Sequence, residues 1–460
     1  MRDKFQNVLM RKVWAYPKGY SKAKCLSSQT RKEETSMELL EEILSNENMN
    51  TAYKQVYRNK GASGVDDMSI EKLAYHLRKN KDDIRNQIRK RKYKPMPALR
   101  VEIPKDNGKM RKLGIPTVVD RVIQQAISQK LSPIFERQFS EYSFGFRPKR
   151  SCEQAIIKAL EFMNDGYTWL IDIDLERFFD TVHHDKLMRI ISYTIKDGDV
   201  ISLIRKYLTS GVMVNGKHEN TPVGTPQGGN LSPLLSNIML NELDKELEAR
   251  NLNFVRYADD SIIFVKSEKA ANRVMKSITN YIEMKLGLIV NVGKSKISRP
   301  RNTKFLGFGF YYDSHTKKYQ PRAHQDSIQK FQRRLKQLTK RNQGISLTNR
   351  IIKLKQVIYG WVNYFKIAKM KSILINVDAK LRSRIRVIIW KQWKSNTKRI
   401  KSLVQLGIPE EEAKGLTYCR KGYRFIGLSK VVHRALSNKR LRQRGIPFAL
   451  DYYLKVHTEI

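Results

Sequence analysis

The chain has 460 residues, and 89 lysines and arginines against 44 acidic residues give it a formal charge of +45. This length accommodates about three domains with sizeable cores and excludes a small fold that depends on disulfides. So large a positive excess repels itself unless a polyanion neutralises it, which makes nucleic acid the expected partner. The three cysteines, Cys25, Cys152 and Cys419, lie far apart and form neither a disulfide framework nor a zinc motif.

No stretch reaches the roughly 18 to 20 uninterrupted apolar residues of a membrane span, so we expect no membrane partner. The expected location is the bacterial cytoplasm, at the nucleoid, rather than an organelle. Residues 1–36 form a basic N-terminal arm. Its composition suits a flexible RNA-binding arm and equally an organelle transit peptide, and the sequence leaves both open.

The first elements after the arm are a helix and a hairpin. The helix MELLEEIL begins near residue 37, and IPKDNGKMRKLGIP predicts a β-hairpin that turns at Asn107-Gly108. Lys105 and Arg111, on opposite arms of this hairpin, could hold a triphosphate, the lysine as a point charge and the arginine as a bidentate fork. Any solvated basic hairpin has the same composition, so the residues alone do not decide.

Four short apolar runs further along the chain are typical of strands. They are WLIDID at 169–174, FVRY at 254–257, SIIFV at 261–265 and KFLGFGFYY at 304–312. Helical patterns alternate with them, which predicts a mixed α/β region over residues 37–320.

From residue 324 the pattern becomes helical. Apolar residues at spacing i, i+3, i+4 and i+7 indicate packing in a core rather than stacking on nucleic-acid bases; these are Ile358, Trp361, Val362 and Phe365. Residues 321–460 hold 33 basic and 7 acidic side chains, so this last third is the most basic part of the chain.

Two of the predicted strands end in acidic residues. In WLIDID, alternation buries Trp169, Ile171 and Ile173 on one face and points Leu170, Asp172 and Asp174 from the other. Asp259-Asp260 follows FVRYA at the tip of a hairpin. Adjacent aspartates in a turn are ordinarily only turn formers. Two strands that both end in acids instead predict an oxygen cage for Mg²⁺, and a pair of such ions suits nucleotidyl transfer.

The segment TPVGTPQGGNLSPLL precedes a predicted helix. Gly228 lets a nucleotide approach the backbone closely and Gln227 can donate or accept a hydrogen bond, although a plain glycine turn has the same letters. Upstream, Asp180 is a candidate N-cap for a helix through residues 185–187, and His183 and His184 are predicted to be surface or capping residues.

Seven blocks in this order resemble those of reverse transcriptases encoded by group II introns. The blocks are LGIPTVVDRVIQQAI, FGFRPKRSCEQAI, WLIDIDLERFFDTVHHDKL, GTPQGGNLSPLLSNIMLNELD, RYADD, GLIVNVGKSKI and FLGFGF. The following run IYGWVNYFKIAKMKSI resembles the family's thumb, or maturase, region. The match spans about residues 37–395.

The resemblance implies an α/β right-hand polymerase with fingers and palm over 37–320 and an all-α thumb/maturase domain over 321–395. A small basic helical region over 396–460 would bind DNA. No His and Cys spacing of an endonuclease domain follows, so the chain is expected to belong to the endonuclease-lacking branch.

The resemblance also implies roles for individual residues. Asp174, Asp259 and Asp260 would be the catalytic acids and hold two Mg²⁺ ions, with Mn²⁺ as a substitute. Asp174 is preferred to Asp172 because the family places an aromatic residue five positions after the metal-binding acid. That residue is Phe179, beneath the incoming sugar, where it would exclude a 2′-hydroxyl.

The remaining roles implied by the resemblance concern the nucleotide and the primer. Lys105 and Arg111 would hold the triphosphate, and Gln227 and Gly228 would lie beside the incoming nucleotide. Lys294 would protonate the leaving pyrophosphate, with Lys296 as a rival. Leu306 and Gly307 would support the primer end.

The function implied is an RNA-directed DNA polymerase that binds its group II intron RNA, assists splicing and copies the intron into DNA during mobility. Its partners would be the intron RNA, an RNA template, a DNA primer or target, and deoxynucleoside triphosphates; the oligomeric state stays open. The alternatives are a host-domesticated reverse transcriptase in repair or defence, and a splicing chaperone without enzyme activity.

Overall fold

A computed structural model describes residues 34–104, 108, 110–225 and 228–457, with side chains from residue 39 onward. Lys105, Gln227 and residues 1–33 of the predicted arm lie outside this range. The chain divides into two compact units, the first holding residues up to Ala155 and Trp169–Ile297. The second holds Ile156–Thr168 and Ser298–Ile460. The domain boundaries expected from the sequence stay predictions.

The first unit combines helices with two four-stranded sheets. Its helices are α1 (Glu34–Leu44), α2 (Asn46–Asn59), α3 (Ile70–Arg89), α4 (Val118–Glu136), α6 (Phe178–Thr181), α7 (His184–Thr194), α8 (Gly198–Leu208), α9 (Ser232–Ala249) and α10 (Glu268–Asn280), the last extended by a π-helix (Tyr281–Leu286). The division between the units falls within α5 (Cys152–Asn164).

One sheet has the order β2-β1-β4-β5 and the other the order β6-β7-β3-β8. The strands are β1 (Ala98–Pro104), β2 (Met110–Ile115), β3 (Trp169–Ile173), β4 (Val212–Val214), β5 (Lys217–Glu219), β6 (Asn253–Tyr257), β7 (Asp260–Val265) and β8 (Lys296–Ser298). The antiparallel pairing of β1 with β2 confirms the predicted hairpin. The three apolar runs predicted as strands before residue 300 became β3, β6 and β7.

The faces of β3 differ from the expected one-sided pattern. Ile171 and Ile173 are buried as predicted, but Leu170 on the opposite face is buried as well, and Trp169 is only half-buried. Helix α10 packs on β3 and β7, and α9 packs on β6. Alternation in sequence cannot reveal that the second face of a strand is also covered, because cover comes from distant helices.

The second unit has a three-stranded sheet, β11-β10-β9, followed by helices. The strands are β9 (Lys304–Phe305), β10 (Phe308–Asp313) and β11 (Lys318–Ala323), and the helices are α11 (Gln325–Leu338), α12 (Leu347–Tyr364), α13 (Lys371–Gln392), α14 (Asn396–Gln405), α15 (Glu410–Thr417), α16 (Tyr423–Leu428), α17 (Lys430–Ala435), α18 (Asn438–Gln443) and α19 (Ala449–Val456).

The apolar stripe of α12 packs in the core, as predicted. Ile358 and Val362 are fully buried, and Trp361 stacks on Phe331 of α11 with ring centroids 4.4 Å apart. In the described part of the chain, no helix combines the length and apolar character that crossing a membrane requires.

Candidate active site

Asp174 and Asp260 meet at one end of the β6-β7-β3-β8 sheet. Strands β3 and β7 are antiparallel, and their last Cα pair at this end is Ile173 with Ser261. Continuing the register by one residue places Asp174 opposite Asp260. Because side chains alternate across a strand, Asp172 shares a face with Asp174.

Asp259 belongs to the turn that joins β6 to β7. The two strands pair up to Tyr257 and Asp260, which leaves Ala258 and Asp259 as a two-residue turn. Ala258 has a φ of 58°, and a positive φ at the first central residue is what tight hairpin turns need. The predicted hairpin tip is therefore confirmed, and it brings a fourth carboxylate, that of Asp259, to this end of the sheet.

The carboxyl groups at this end influence one another. Partial desolvation raises the pKa of Asp260 to about 6. Three neighbouring carboxylates add to this rise, those of Asp259, Asp172 and Asp174. Desolvation also raises the pKa of Asp172 to about 6. Several carboxylates that disfavour one another's ionisation form an arrangement that a divalent cation relieves.

Two lysines face these acids from β8 and the segment before it. The Nζ atom of Lys294 lies 2.9 and 3.2 Å from the carboxylate oxygens of Asp174. Lys296 acts on Asp172, whose pKa its charge lowers against the effect of burial. The backbone N–H of Asp174 donates to the hydroxyl of Ser295 at 3.1 Å, which keeps the two chain segments side by side.

The donor set fits a hard divalent cation because it consists of carboxylate oxygens. Among the described residues, no three His, Cys, Asp or Glu side chains lie close enough to hold one ion together. In this arrangement the carboxylate of Asp174 forms an ion pair with the ammonium of Lys294. Mg²⁺ commonly uses only one or two carboxylates and completes its shell with water and substrate phosphates. The site therefore suits an ion shared with a nucleotide.

A buried arginine supports the turn from below. Arg256 of β6 is 1 % exposed, and its Nε donates to Asp244 Oδ1 of α9 at 2.7 Å. Its Nη1 donates to Asn237 Oδ1 at 3.1 Å and to the carbonyl oxygen of Ala258 at 2.9 Å. Arg256 was not among the site residues predicted from the sequence. Its signal was a charge inside an apolar strand, since a buried arginine must have partners.

Phe179 lies in α6, which begins after Arg177 in the left-handed region at a φ of 47°. Its half-buried ring meets the ring of Phe178 edge-on, with centroids 5.3 Å apart. Its carbonyl oxygen accepts a hydrogen bond from the backbone N–H of Thr225 at 2.6 Å. The aromatic residue five positions after Asp174 is thus attached to the loop that leads to the glycines.

The loop that carries Gly228 and Gly229, here called the glycine loop, lies beside the hairpin of β1 and β2. Gly228 has a φ of 119°, and a Cβ there would come within 2.5 Å of the carbonyl oxygen of Gly114 in β2. The same strand carries Arg111, which is exposed. Lys105 and Gln227 lie outside the described residues, so the structure does not place their side chains.

His184 contradicts the expectation of a surface position. It is 4 % exposed, and its Nε2 lies 2.6 Å from the carbonyl oxygen of Gly224. His183 is exposed and is the N-cap of α7 without a side-chain capping bond. The predicted N-cap Asp180 instead lies inside α6. The contact with Gly224 is made across 40 residues, which a local pattern cannot reveal.

The run KFLGFGFYY, predicted as one strand, is instead divided into β9 and β10 by a turn at Leu306 and Gly307, whose φ values are 49° and 81°. The Leu306 carbonyl oxygen accepts from the Tyr364 hydroxyl at 2.8 Å, and that of Gly307 accepts from Ser327 Oγ at 2.9 Å. The turn is well anchored, and its role at the primer end stays a prediction.

Two protein families match the chain. Residues 103–310 match the family described as "Reverse transcriptase (RNA-dependent DNA polymerase)". Residues 328–406 match "Group II intron, maturase-specific domain". The first match includes the acidic end of the β6-β7-β3-β8 sheet, and the second covers helices of the second unit.

Three curated relatives align with about half of the chain. Protein YkfC of Escherichia coli is 36% identical over 279 residues, 52% of this chain and 73% of that protein. The group II intron-encoded protein LtrA of Lactococcus lactis is 38% identical over 244 residues, 51% of this chain and 39% of LtrA. The putative COX1/OXI3 intron 2 protein of Saccharomyces cerevisiae is 30% identical over 319 residues, 56% of this chain and 37% of that protein.

Among solved structures, a chain of the "Partial Cas6-RT-Cas1--Cas2 complex" matches with a TM-score of 0.34 and 22% sequence identity. The match covers 55% of this chain and 43% of that one.

Proposed function

Because the chain belongs to the group II intron-encoded reverse transcriptases, we propose that it joins deoxynucleotides on an RNA template at the acidic end of the β3–β7 pair. The two matched domains and the intron-encoded relatives support reverse transcription and splicing as its roles. The observation that carries the proposed site is the meeting of Asp174 with the Asp259-Asp260 turn.

Asp174 and Asp259 are the residues that would hold divalent metal, with Asp260 completing the acidic set. Two Mg²⁺ ions, or Mn²⁺ in their place, would supply an activated primer hydroxyl and stabilise charge on the leaving oxygen. Holding them requires ionised carboxylates, which the raised pKa of Asp260 makes dependent on pH. Arg256 keeps the turn in place through the Ala258 carbonyl.

Lys294 has two tasks in this proposal. Without metal, its ammonium neutralises the Asp174 carboxylate. During the reaction, the primer 3′-hydroxyl loses its proton to water and its oxygen forms a bond to the α-phosphorus. The bond from that phosphorus to the pyrophosphate oxygen breaks, and its electron pair leaves with the pyrophosphate. Lys294 would then give a proton to that oxygen. Lys296, beside Asp172, is the alternative donor.

Nucleotide selection is assigned to residues around the glycine loop. Phe179 would lie beneath the incoming sugar and exclude a 2′-hydroxyl, and Gly228 would allow close approach of the base pair. Arg111, on the hairpin strand beside Gly228, would bind the triphosphate. Lys105 is proposed as its partner in this role. Gln227 would lie beside the incoming nucleotide, and Leu306 and Gly307 would support the primer end.

We propose the intron RNA as the partner of the basic second unit. The maturase-specific match covers 328–406, within the most basic third of the chain. Lysine and arginine contacts to phosphates give affinity without sequence specificity. We further propose that the chain assists splicing of this RNA and copies the intron at a DNA target. The proposed location is the bacterial cytoplasm, at the nucleoid.

Primer extension tests the proposed activity. The full chain is incubated with a DNA primer on an RNA template, deoxynucleoside triphosphates and Mg²⁺, and compared with Asp174→Asn and Asp259→Asn. We expect extension by the wild type and a loss of at least about 100-fold in both variants, because each removes a metal-binding charge. Asp185→Asn is the matched control, since Asp185 is an exposed aspartate paired with Arg205.

RNA binding by the same proteins separates two failures. A wild type that binds RNA but extends no primer would refute the polymerase proposal and leave a splicing chaperone. Full activity in Asp259→Asn would instead refute the placement of the active site.

A further inference from the structure

Residues 222–225, the loop before the glycines, are attached to the segment 179–184 by three hydrogen bonds. The backbone N–H of Thr225 donates to the Phe179 carbonyl at 2.6 Å, and that of Gly224 donates to the Val182 carbonyl at 2.8 Å. The third bond runs from the Nε2 of His184 to the Gly224 carbonyl at 2.6 Å. His184 is the one side chain among these partners.

The loop lies in close contact with this segment. Gly224 has a φ of 94°, and a Cβ there would come within 2.9 Å of the Phe179 carbonyl oxygen and 3.0 Å of that of Asp180. A glycine is needed both for the positive φ and for the approach. Gly224 therefore lies directly against the backbone of residues 179–180.

His184 connects this loop to a helix that is packed in the core. It is the first residue of α7, and Leu187, Met188 and Ile191 of the same helix are buried in the core of the first unit. Burial lowers the pKa of His184, so the ring is neutral near pH 7 and has one N–H. Donation from Nε2 to the Gly224 carbonyl uses that single proton.

The attached loop is continuous with residues assigned to the nucleotide. Phe179 supplies both the proposed sugar gate and the carbonyl that Thr225 binds. Three residues after Thr225, Gly228 contacts Gly114 of the β1–β2 hairpin. A displacement of Gly224 would therefore shift Thr225 and, with it, the hydrogen bond that fixes the Phe179 carbonyl.

We propose that His184 is a positioning residue for nucleotide selection. It holds the Gly224 carbonyl and, through Thr225, the backbone of Phe179, so that Phe179 admits deoxynucleotides and rejects ribonucleotides. The inference rests on the proposed polymerase function. His184 touches neither the nucleotide nor the metal in this assignment; it acts through the loop.

The test compares two substitutions at His184. In His184→Gln the amide nitrogen lies as many bonds from Cβ as Nε2 does and can donate to the same carbonyl, whereas His184→Leu fills the space without a donor. The substrates are dTTP and UTP on poly(rA) primed with oligo(dT). Met188→Ala is the matched control, because Met188 is buried one turn along α7 and has no bond to the loop.

We expect His184→Leu to raise the KM for dTTP about five- to tenfold, more than it lowers kcat, because a buried carbonyl loses its donor. The preference for dTTP over UTP should fall by a similar factor. His184→Gln should stay within about twofold of the wild type. Met188→Ala should lower Tm without changing the preference.

Hydrogen exchange of the peptide spanning residues 222–230 gives a readout independent of catalysis. Its exchange should be faster in His184→Leu and unchanged in His184→Gln. Wild-type values for KM, preference and exchange in His184→Leu would overturn the inference, as would equal defects in His184→Gln or Met188→Ala. A wild-type chain that extends no primer would refute the proposed function and, with it, the selection role.

Discussion

Replacing Arg256 with methionine should destabilise the first unit strongly. The side chain of Arg256 is 1 % exposed and that of Asp244 is fully buried, so the substitution leaves a carboxylate without a counter-charge in the interior. Removing one partner of a buried ion pair typically costs about 3–5 kcal/mol. At about 2–4 °C per kcal/mol for domains of 150–250 residues, Tm should fall by roughly 6–20 °C.

Thermal and urea unfolding followed by circular dichroism measure this loss. The control is Arg250→Met, which breaks a partly exposed pair with Glu246 and should cost less than about 1 kcal/mol. The double variant Arg256→Met/Asp244→Leu removes the orphaned charge, so it should be more stable than Arg256→Met alone. A loss below about 1 kcal/mol in Arg256→Met, or no recovery in the double variant, would refute the reasoning.

Arg256→Met should also reduce primer extension below the unfolding temperature. Arg256 Nη1 holds the carbonyl of Ala258, the residue directly before Asp259. Without this bond the turn loses its anchor, and a shift of about 1 Å in a catalytic group can lower a rate 100-fold. Extension at the wild-type rate by the folded variant would show that the turn keeps its position without Arg256.

Three further predictions concern metal, pH and salt. Lys294→Met should lower the Mg²⁺ concentration for half-maximal primer extension by up to about fivefold, because an exposed ammonium no longer competes with Mg²⁺ for Asp174. An unchanged Mg²⁺ titration would contradict this prediction. In metal-free protein, the folded state keeps the proton of Asp260 up to about pH 6, whereas the unfolded chain releases it near pH 3.8. The free energy of unfolding should therefore fall as the pH rises through this interval. Asp260→Asn should flatten that part of the profile in urea titrations from pH 4 to 7, and an identical slope would speak against the raised pKa. Binding of a 20-nucleotide RNA, followed by fluorescence anisotropy, should weaken with a log–log salt slope of about −4 or steeper, as expected for six or more neutralised phosphates; a slope shallower than about −1 would exclude a phosphate-dominated interface.

Much of the local structure was predictable from short-range pattern. The runs around Trp169, Phe254 and Ile262 became strands, the turn at Asp259 formed where two strand patterns meet, and the stripe through Ile358 packed in a core. Each of these depends on alternation or helical spacing within a few residues. The order of the seven blocks likewise contained the family membership, because it is a property of the linear chain.

The sequence by itself therefore determined these strands, the hairpin turn and the family. Only the tertiary structure decided which partners meet: Arg256 with Asp244 across 12 residues, His184 with Gly224 across 40, and Lys294 rather than Lys296 with Asp174. It also decided that Leu170 is buried on the second face of β3. The physical reason is that burial and charge pairing depend on how distant segments pack, and the spacing of residues along one segment contains no information about its cover.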